Sequence, residues 1–225
     1  MTFYNRLLDA TRHEREAFLG NPAINQGLDG RITAAVYGRY LVQAYHHVRY
    51  TCPLLALAAS RCGPEDRDYA DALYTYIDEE KGHDLWILDD LAALGVPATA
   101  LPGPNTSCRA MVGYVHYAIE HQSPYAMLGM VHVLEGMSTA LASRAAAALA
   151  GSMGLDDRRA GFRYLTSHGA IDAGHVEFFT TLVNAIDRST AHTAIIDTAR
   201  VTYKLFGDMF IEVLGDSGHG ARHAA

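Results

Sequence analysis

Residues 168–175 read His-Gly-Ala-Ile-Asp-Ala-Gly-His, and the rest of the chain is best approached from this stretch. An α-helix turns by about 100° per residue and rises about 1.5 Å. On a helix, Asp172 lies about 40° to one side of His168 and His175 about 20° to the other. Two imidazoles and a carboxylate then share one narrow stripe about 10 Å long. Nitrogen and oxygen donors converging from one helix suit a divalent first-row metal, iron above all.

Working outward, helical periods recur along the chain and strand signals are scarce. A first helix is expected over Tyr4 to Phe18, then a loop through Gly20, Asn21, Pro22 and Gly30. Thr33 reads as the N-cap of a long helix to about Arg61. Pro53 should kink it, because its ring removes a donor and crowds the carbonyl of Arg49. Another helix is expected from about Asp66 to Leu94, stopped by Gly95 and Pro97. Further helices should run from about Ser107 to His121 and from Ser123-Pro124 to about Ala150. The next should start near Asp156 and carry the His168 stripe to Asp187, and the last should run from Ser189 or Thr190 to Leu214. The expectation is one all-α domain of seven or eight helices over residues 1–214, with a Gly-rich tail, 215–225, that frays.

Of the 225 residues, 49% are hydrophobic, enough for a substantial core and too many for a disordered chain. No apolar run reaches the ~18 residues needed to span a bilayer, and Met1 to Arg6 lacks a signal peptide's apolar segment. The expected setting is cytoplasmic, with no membrane partner. Cys52, Cys62 and Cys108 are odd in number and unpaired in spacing, which argues against a disulfide framework or a zinc site. A formal charge of −7 argues against nucleic acid. Most of the 12 histidines fall within apolar-periodic segments, where an imidazole needs a reason to be.

Three further segments carry complementary donors. Relative to His83, Glu80 is at i−3, Glu79 at i−4 and Tyr76 at i−7, so all four face broadly one way. Glu80 and His83 form a Glu-x-x-His unit of the kind used in di-iron carboxylate bundles; a solvated charged face with Asp78, Lys81 and Asp84 is the bland alternative. Glu135 stands in an almost wholly apolar run from Met127 to Ala150, where a carboxylate is costly unless it meets a cation or a metal. Arg144 or Arg163 is the alternative partner, and His132, one turn away, reads as a core histidine. Of the adjacent His46 and His47, at most one can face a site. Together these segments offer about the six or seven ligands that two irons with bridging carboxylates require. The absence of thiolate favours iron or manganese over structural zinc.

The stretches Tyr40-Leu41-Val42-Gln43-Ala44-Tyr45-His46-His47 and Pro53-Leu54-Leu55 resemble the heme-oxygenase-like di-iron oxidases, the iron-containing redox enzyme family related to thiaminase II and the pyrroloquinoline-quinone synthase. The likeness continues through Glu79-Glu80-Lys81-Gly82-His83-Asp84-Leu85-Trp86, the isolated Glu135 and, most specifically, His168-x3-Asp172-x2-His175. It spans roughly Arg31 to Leu214. The resemblance implies a single-domain helical bundle, a small organic substrate such as an amino-acid or fatty-acid derivative, O2 as co-substrate and a homodimer. It implies two Fe2+ ions, or an Fe/Mn pair, held by Glu80, His83, Glu135, His168, Asp172 and His175. The chain departs from several relatives by offering His46 or His47 where they supply a glutamate, and Tyr76 where others do. Tyr45, Tyr50, Tyr76 and Phe178 are the expected pocket liners. The rival expectations are a thiaminase-type hydrolase, which needs a cysteine nucleophile such as Cys52, and a non-catalytic metal-binding protein.

Overall fold

The computed structural model describes residues 1–154 and 161–215, without the side chains of residues 168–173 and 175. Its regular elements are all helical. They are α1 (Phe3–Ala10), α2 (Arg12–Leu19), α3 (Pro22–Leu28), α4 (Ala34–Val48), α5 (Thr51–Ser60), α6 (Arg67–Glu80) and α7 (His83–Ala93). After them come α8 (Thr106–His121), α9 (Met127–Ser152), α10 (Arg163–Ala185) and α11 (Ser189–Gly215). The expected segments are present, several of them in shorter pieces, and each break has a local cause.

The first helix divides at Thr11, whose hydroxyl donates to the Leu7 carbonyl at 2.8 Å and competes with the backbone ladder. The expected loop after Gly20 contains α3, started by Asn21, whose side chain accepts from the Ala23 N–H at 2.9 Å, and by Pro22 in the first turn. The long helix divides at Arg49–Tyr50, since Pro53 has no N–H for the Arg49 carbonyl. The segment through Glu80 divides at Lys81–Gly82, where Gly82 takes φ +92°. Ser123 caps the turn before α9 as expected. Residues 155–160 and 216–225 lie outside the described ones, and so do the start expected at Asp156 and nearly all of the tail.

Helix α9 is the axis of the bundle, packed against α10, α11 and α3. At Gly129 it meets the backbone of α11 directly. A Cβ there would stand 2.5 Å from the Ile195 carbonyl oxygen and 2.7 Å from the Ala199 nitrogen, so only glycine permits this approach. Two apolar cores result. One gathers α5, α6, α8, α11 and the first part of α9; the other gathers α4, α7, the second part of α9 and the start of α10. No described helix is long and apolar enough to cross a membrane.

His132 lies in the first core, stacked on Phe179 at 5.7 Å with the rings of Tyr4 and Tyr203 edge-on. Its Nε2 finds no hydrogen-bond partner among the described residues. Burial, with the Arg15 charge adding to it, pushes the imidazole down to about 4. The folded state therefore binds fewer protons than the unfolded state between pH 6.5 and 4, and stability falls as pH falls through that window. His132→Phe keeps the ring and removes the proton. Denaturant unfolding of the parent at pH 7 and pH 4.5 should show an extra loss of about 2–3 kcal/mol that the variant escapes. An equally steep acid loss in both proteins would assign the effect to other groups.

Candidate functional site

Glu80 is the last residue of α6 and His83 the first of α7, so the Glu-x-x-His pair spans a hinge rather than one continuous helix. The two still meet, with His83 Nδ1 3.1 Å from Glu80 Oε2 and both side chains at most 10% exposed. The ring of His83 stacks on Trp86 at 4.1 Å, and the Arg163 guanidinium lies over the other ring of that stack at 5.3 Å.

Glu80 also faces a large cavity, about 1330 Å³ of space including its open mouth. Its polar end carries His47, Thr51, Tyr76, Glu80, Glu135 and Ser138. Among the described residues the wall away from that end is almost wholly aliphatic or aromatic, and Glu80, Glu135 and His47 are the acidic and basic side chains on it. Tyr76 is fully buried. Its phenol is pushed far up, by burial first and then by the negative charge of Glu135, Glu79 and Glu80, which marks those carboxylates as its neighbours.

Sequence left His46 and His47 as alternatives. His47 is buried on the cavity wall, whereas His46 turns away and donates through Nε2 to the Pro102 carbonyl at 2.7 Å. Of the expected liners, Tyr76 lines the cavity and Phe178 stands behind it, edge-on at 5.1 Å. Tyr45 and Tyr50 are corrected: neither is among the cavity-lining residues, and Tyr50 is 43% exposed. Tyr45 is half-buried against the second core and Tyr50 sits at the break after α4, and the Arg49 guanidinium lies over both rings, at 5.6 and 5.4 Å. Glu79 is exposed on the outer face of α6.

His168, Asp172 and His175 lie on α10, three, seven and ten residues after the cavity-lining Leu165. Their side chains are outside the described residues. Among the described residues no three His, Cys, Asp or Glu side chains gather as a metal site. What is described is a partial donor set: Glu80 with His83, then Glu135 and His47 on one cavity wall. Oxygen and nitrogen donors without thiolate fit iron.

Each donor lies where its stretch of chain passes from one apolar core to the other. Helix α4 belongs to the second core and α5 to the first, with His47 and Thr51 at the change. Helices α6 and α7 divide the same way at Glu80 and His83. Helix α9 changes core between Met137 and Ala142, close to Glu135, and α10 does so between Leu165 and Phe179.

The start of α10 is held by Asp90, a residue that sequence reasoning missed. Its buried carboxylate accepts from the N–H groups of Arg163 and Tyr164, both at 2.8 Å, capping a helix whose own N-cap, Phe162, has no side chain to do so. Burial pushes the Asp90 carboxyl up, opposed by those two backbone hydrogen bonds. The signal was the Asp89-Asp90 doublet in an apolar helix: Asp89 pairs outside with Arg163 at 2.7 Å, and its neighbour points inward.

The cysteines do not supply a nucleophile to this site. None lines the cavity, and burial raises all three thiols, Cys108 to about 12.

Comparison with known proteins matches residues 38–207 to the family described as iron-containing redox enzyme. No curated protein matches the sequence. A domain of unknown function with a heme oxygenase-like fold from Shewanella denitrificans superposes with TM-score 0.84 at 18% identity, covering 96% of this chain and 94% of that one. A TenA homologue from Pseudomonas syringae gives 0.78 at 14% identity, over 95% and 93% of the two chains. Heme oxygenase from Leptospira interrogans gives 0.72 at 16% identity, over 94% and 100%. At these identities the likeness establishes the fold, a single-domain all-α bundle of the heme oxygenase-like type.

Asp90→Ala would strip the cap from α10 and leave two first-turn donors unsatisfied, at a cost of about 1–3 kcal/mol. The midpoint of thermal unfolding should fall by roughly 3–9 °C, with Asp90→Asn intermediate. An unchanged midpoint in the alanine variant would remove Asp90 from this role.

Proposed function

The chain belongs to the iron-containing redox enzyme family, and from that premise we propose that it is an O2-dependent oxidase or oxygenase that uses two non-haem irons on a small organic substrate. The observation that carries this is the concentration of Glu80, Glu135 and His47 at one end of an otherwise apolar cavity, with His83 bonded to Glu80. Two carboxylates are costly in such surroundings unless positive charge balances them. The ligands we assign are Glu80, His83, Glu135, His168, Asp172 and His175, with His47 adjoining.

Iron held there supplies the electrons and the Lewis acidity that let O2 react with an organic substrate. The chain's own part is to hold and shield. The contact with His83 orients the Glu80 carboxylate, and the stack on Trp86 fixes the imidazole plane. Tyr76 keeps its proton at neutral pH and offers a hydroxyl beside the carboxylates. Met127, Met130, Val131 and Leu134 line the wall next to Glu135 and exclude water from the site.

A thiaminase-type hydrolase on this fold is disfavoured by the position and protonation of the thiols. Cys52 lies off the cavity with Sγ 3.8 Å from the Ile77 carbonyl, and burial followed by Glu80 and Asp84 holds it protonated.

Ferrous loading under anaerobic conditions, followed by metal analysis and Mössbauer spectroscopy, tests the proposal. The parent should bind iron as a coupled pair. Glu135→Ala and His168→Ala should each weaken binding by more than the roughly 10–100-fold that even outer partners of a ligand cost, with helix content retained. Cys52→Ser should bind iron and consume O2 as the parent does. Normal iron content in both ligand variants, or a dead Cys52→Ser, would overturn it.

A further inference from the structure

Helix α10, which carries His168, Asp172 and His175, has no side-chain cap at its own N-cap position. Phe162 stands there, and the first-turn donors of Arg163 and Tyr164 are met by Asp90, 73 and 74 residues away in the chain. Helix starts are ordinarily capped by a residue of the same turn. Importing the cap puts a carboxylate that is 1% exposed inside the fold, a cost that a local serine or asparagine would avoid.

The helix that lends the cap is α7, and its first residue is His83. His83, Trp86 and Asp90 stand at i, i+3 and i+7, one above another on one face. Trp86 stacks on the His83 imidazole with centroids 4.1 Å apart and planes at 28°. The Arg163 guanidinium covers Trp86 at 5.3 Å and reaches Asp89 at 2.7 Å. A continuous line of contacts thus joins the His83 imidazole to the first residue of α10.

These contacts constrain how α10 is turned as well as where it starts. Each carboxylate oxygen of Asp90 takes one backbone donor, both at 2.8 Å, so rotating α10 about its axis or sliding it breaks at least one bond. The Arg163 side chain, held between Trp86 and Asp89, resists tilting of the same end. At the far end the Asn184 side-chain carbonyl accepts from the Tyr4 N–H at 2.9 Å and ties α10 to α1. Leverage makes the near end matter. Asp172 lies nine residues beyond Arg163, about 13.5 Å of rise, so a swing of about 10° there would displace it by about 2 Å. Metal–ligand distances tolerate only about 0.2 Å.

We propose that Trp86, Asp90 and Arg163 are positioning residues for the metal site: none is a ligand, and together they set the rotation and height of α10 against Glu80 and His83. The inference rests on the ligand set assigned above. It goes beyond capping, because a cap alone serves folding and leaves bound metal indifferent to the Arg163 side chain.

Anaerobic Fe2+ titration in the cold, far below the unfolding midpoint, tests this. It is followed by metal analysis, by Mössbauer spectroscopy and by the emission of Trp86, the single tryptophan. Iron should quench that emission in the parent, since the indole lies on a ligand imidazole. Arg163→Ala keeps both backbone bonds to Asp90 and loses a half-exposed side chain, so helix content and midpoint should stay close to the parent's. It should nevertheless weaken iron binding about 10-fold, and Asp90→Ala nearer 100-fold, the range found for outer partners of ligands. The ferrous doublets of both should broaden as the donors lose a single arrangement. Asp90→Asn, which keeps one acceptor oxygen, should recover part of the affinity.

Parent-like affinity and line widths in folded Arg163→Ala would overturn the proposal, whatever Asp90→Ala does, and leave the metal site standing. Iron uptake by the parent without any change in Trp86 emission would overturn it as well. A parent that takes up no iron would overturn the function proposed above and this inference with it.

Discussion

Two carboxylates in an apolar interior are the constraint on which this molecule turns. Glu80 and Glu135 approach one cavity from different helices, and neither the methionines nor the leucines around them can solvate a charge. An isolated ionised carboxylate in such a medium is unstable by far more than the few kcal/mol that separate a folded domain from its unfolded chain. The surroundings must therefore supply positive charge or protons. His83 meets Glu80 directly, and Tyr76 keeps its proton beside both acids. Arg144 is engaged at the surface with Asp29, and Arg163 with Asp89, so neither of the arginines that sequence offered for Glu135 is placed to serve it.

Much of the architecture was legible in the sequence because helix ends are written locally. Thr33, Ser123, Gly95 and Pro53 each act within a turn of their own position, and the elements they delimit lie where their chemistry puts them. The breaks at Thr11 and at Lys81–Gly82 were less legible. Both interrupt segments whose apolar period continues across them, and a period does not reveal that two shorter helices have changed direction. Asn21-Pro22 reads in sequence as loop punctuation, although a capping side chain followed by proline also starts a helix, and here it does.

The site divides along the same line. Glu135 was conspicuous because it is a lone acid in an apolar run, which depends only on its neighbours in sequence. The choice between His46 and His47 depends on the rotation of α4 against α8 and α7, and the exposure of Tyr50 depends on the break at Arg49–Tyr50. Asp90 is legible only once α7 and the start of α10 are side by side. The cavity, too, is a property of packed helices, though the run from Ser138 to Leu149, with its alanines on one face, leaves the space that larger side chains would have filled.

The position of the donors follows from the two cores. A single core has nowhere to put several polar groups without leaving them unsatisfied, because its interior is filled at near-crystalline density. Two cores pressed together leave a seam, and at a seam the chain can change direction, as it does at Arg49–Tyr50 and at Gly82. Because α6 packs on α5 while α7 packs on α4 and α10, the positions of Glu80 and His83 are set by different neighbours. Helix α9 is continuous across the seam and ties the two halves, with its backbone locked to α11 at Gly129. The same seam, continued outward between α4 and α9, is the cavity.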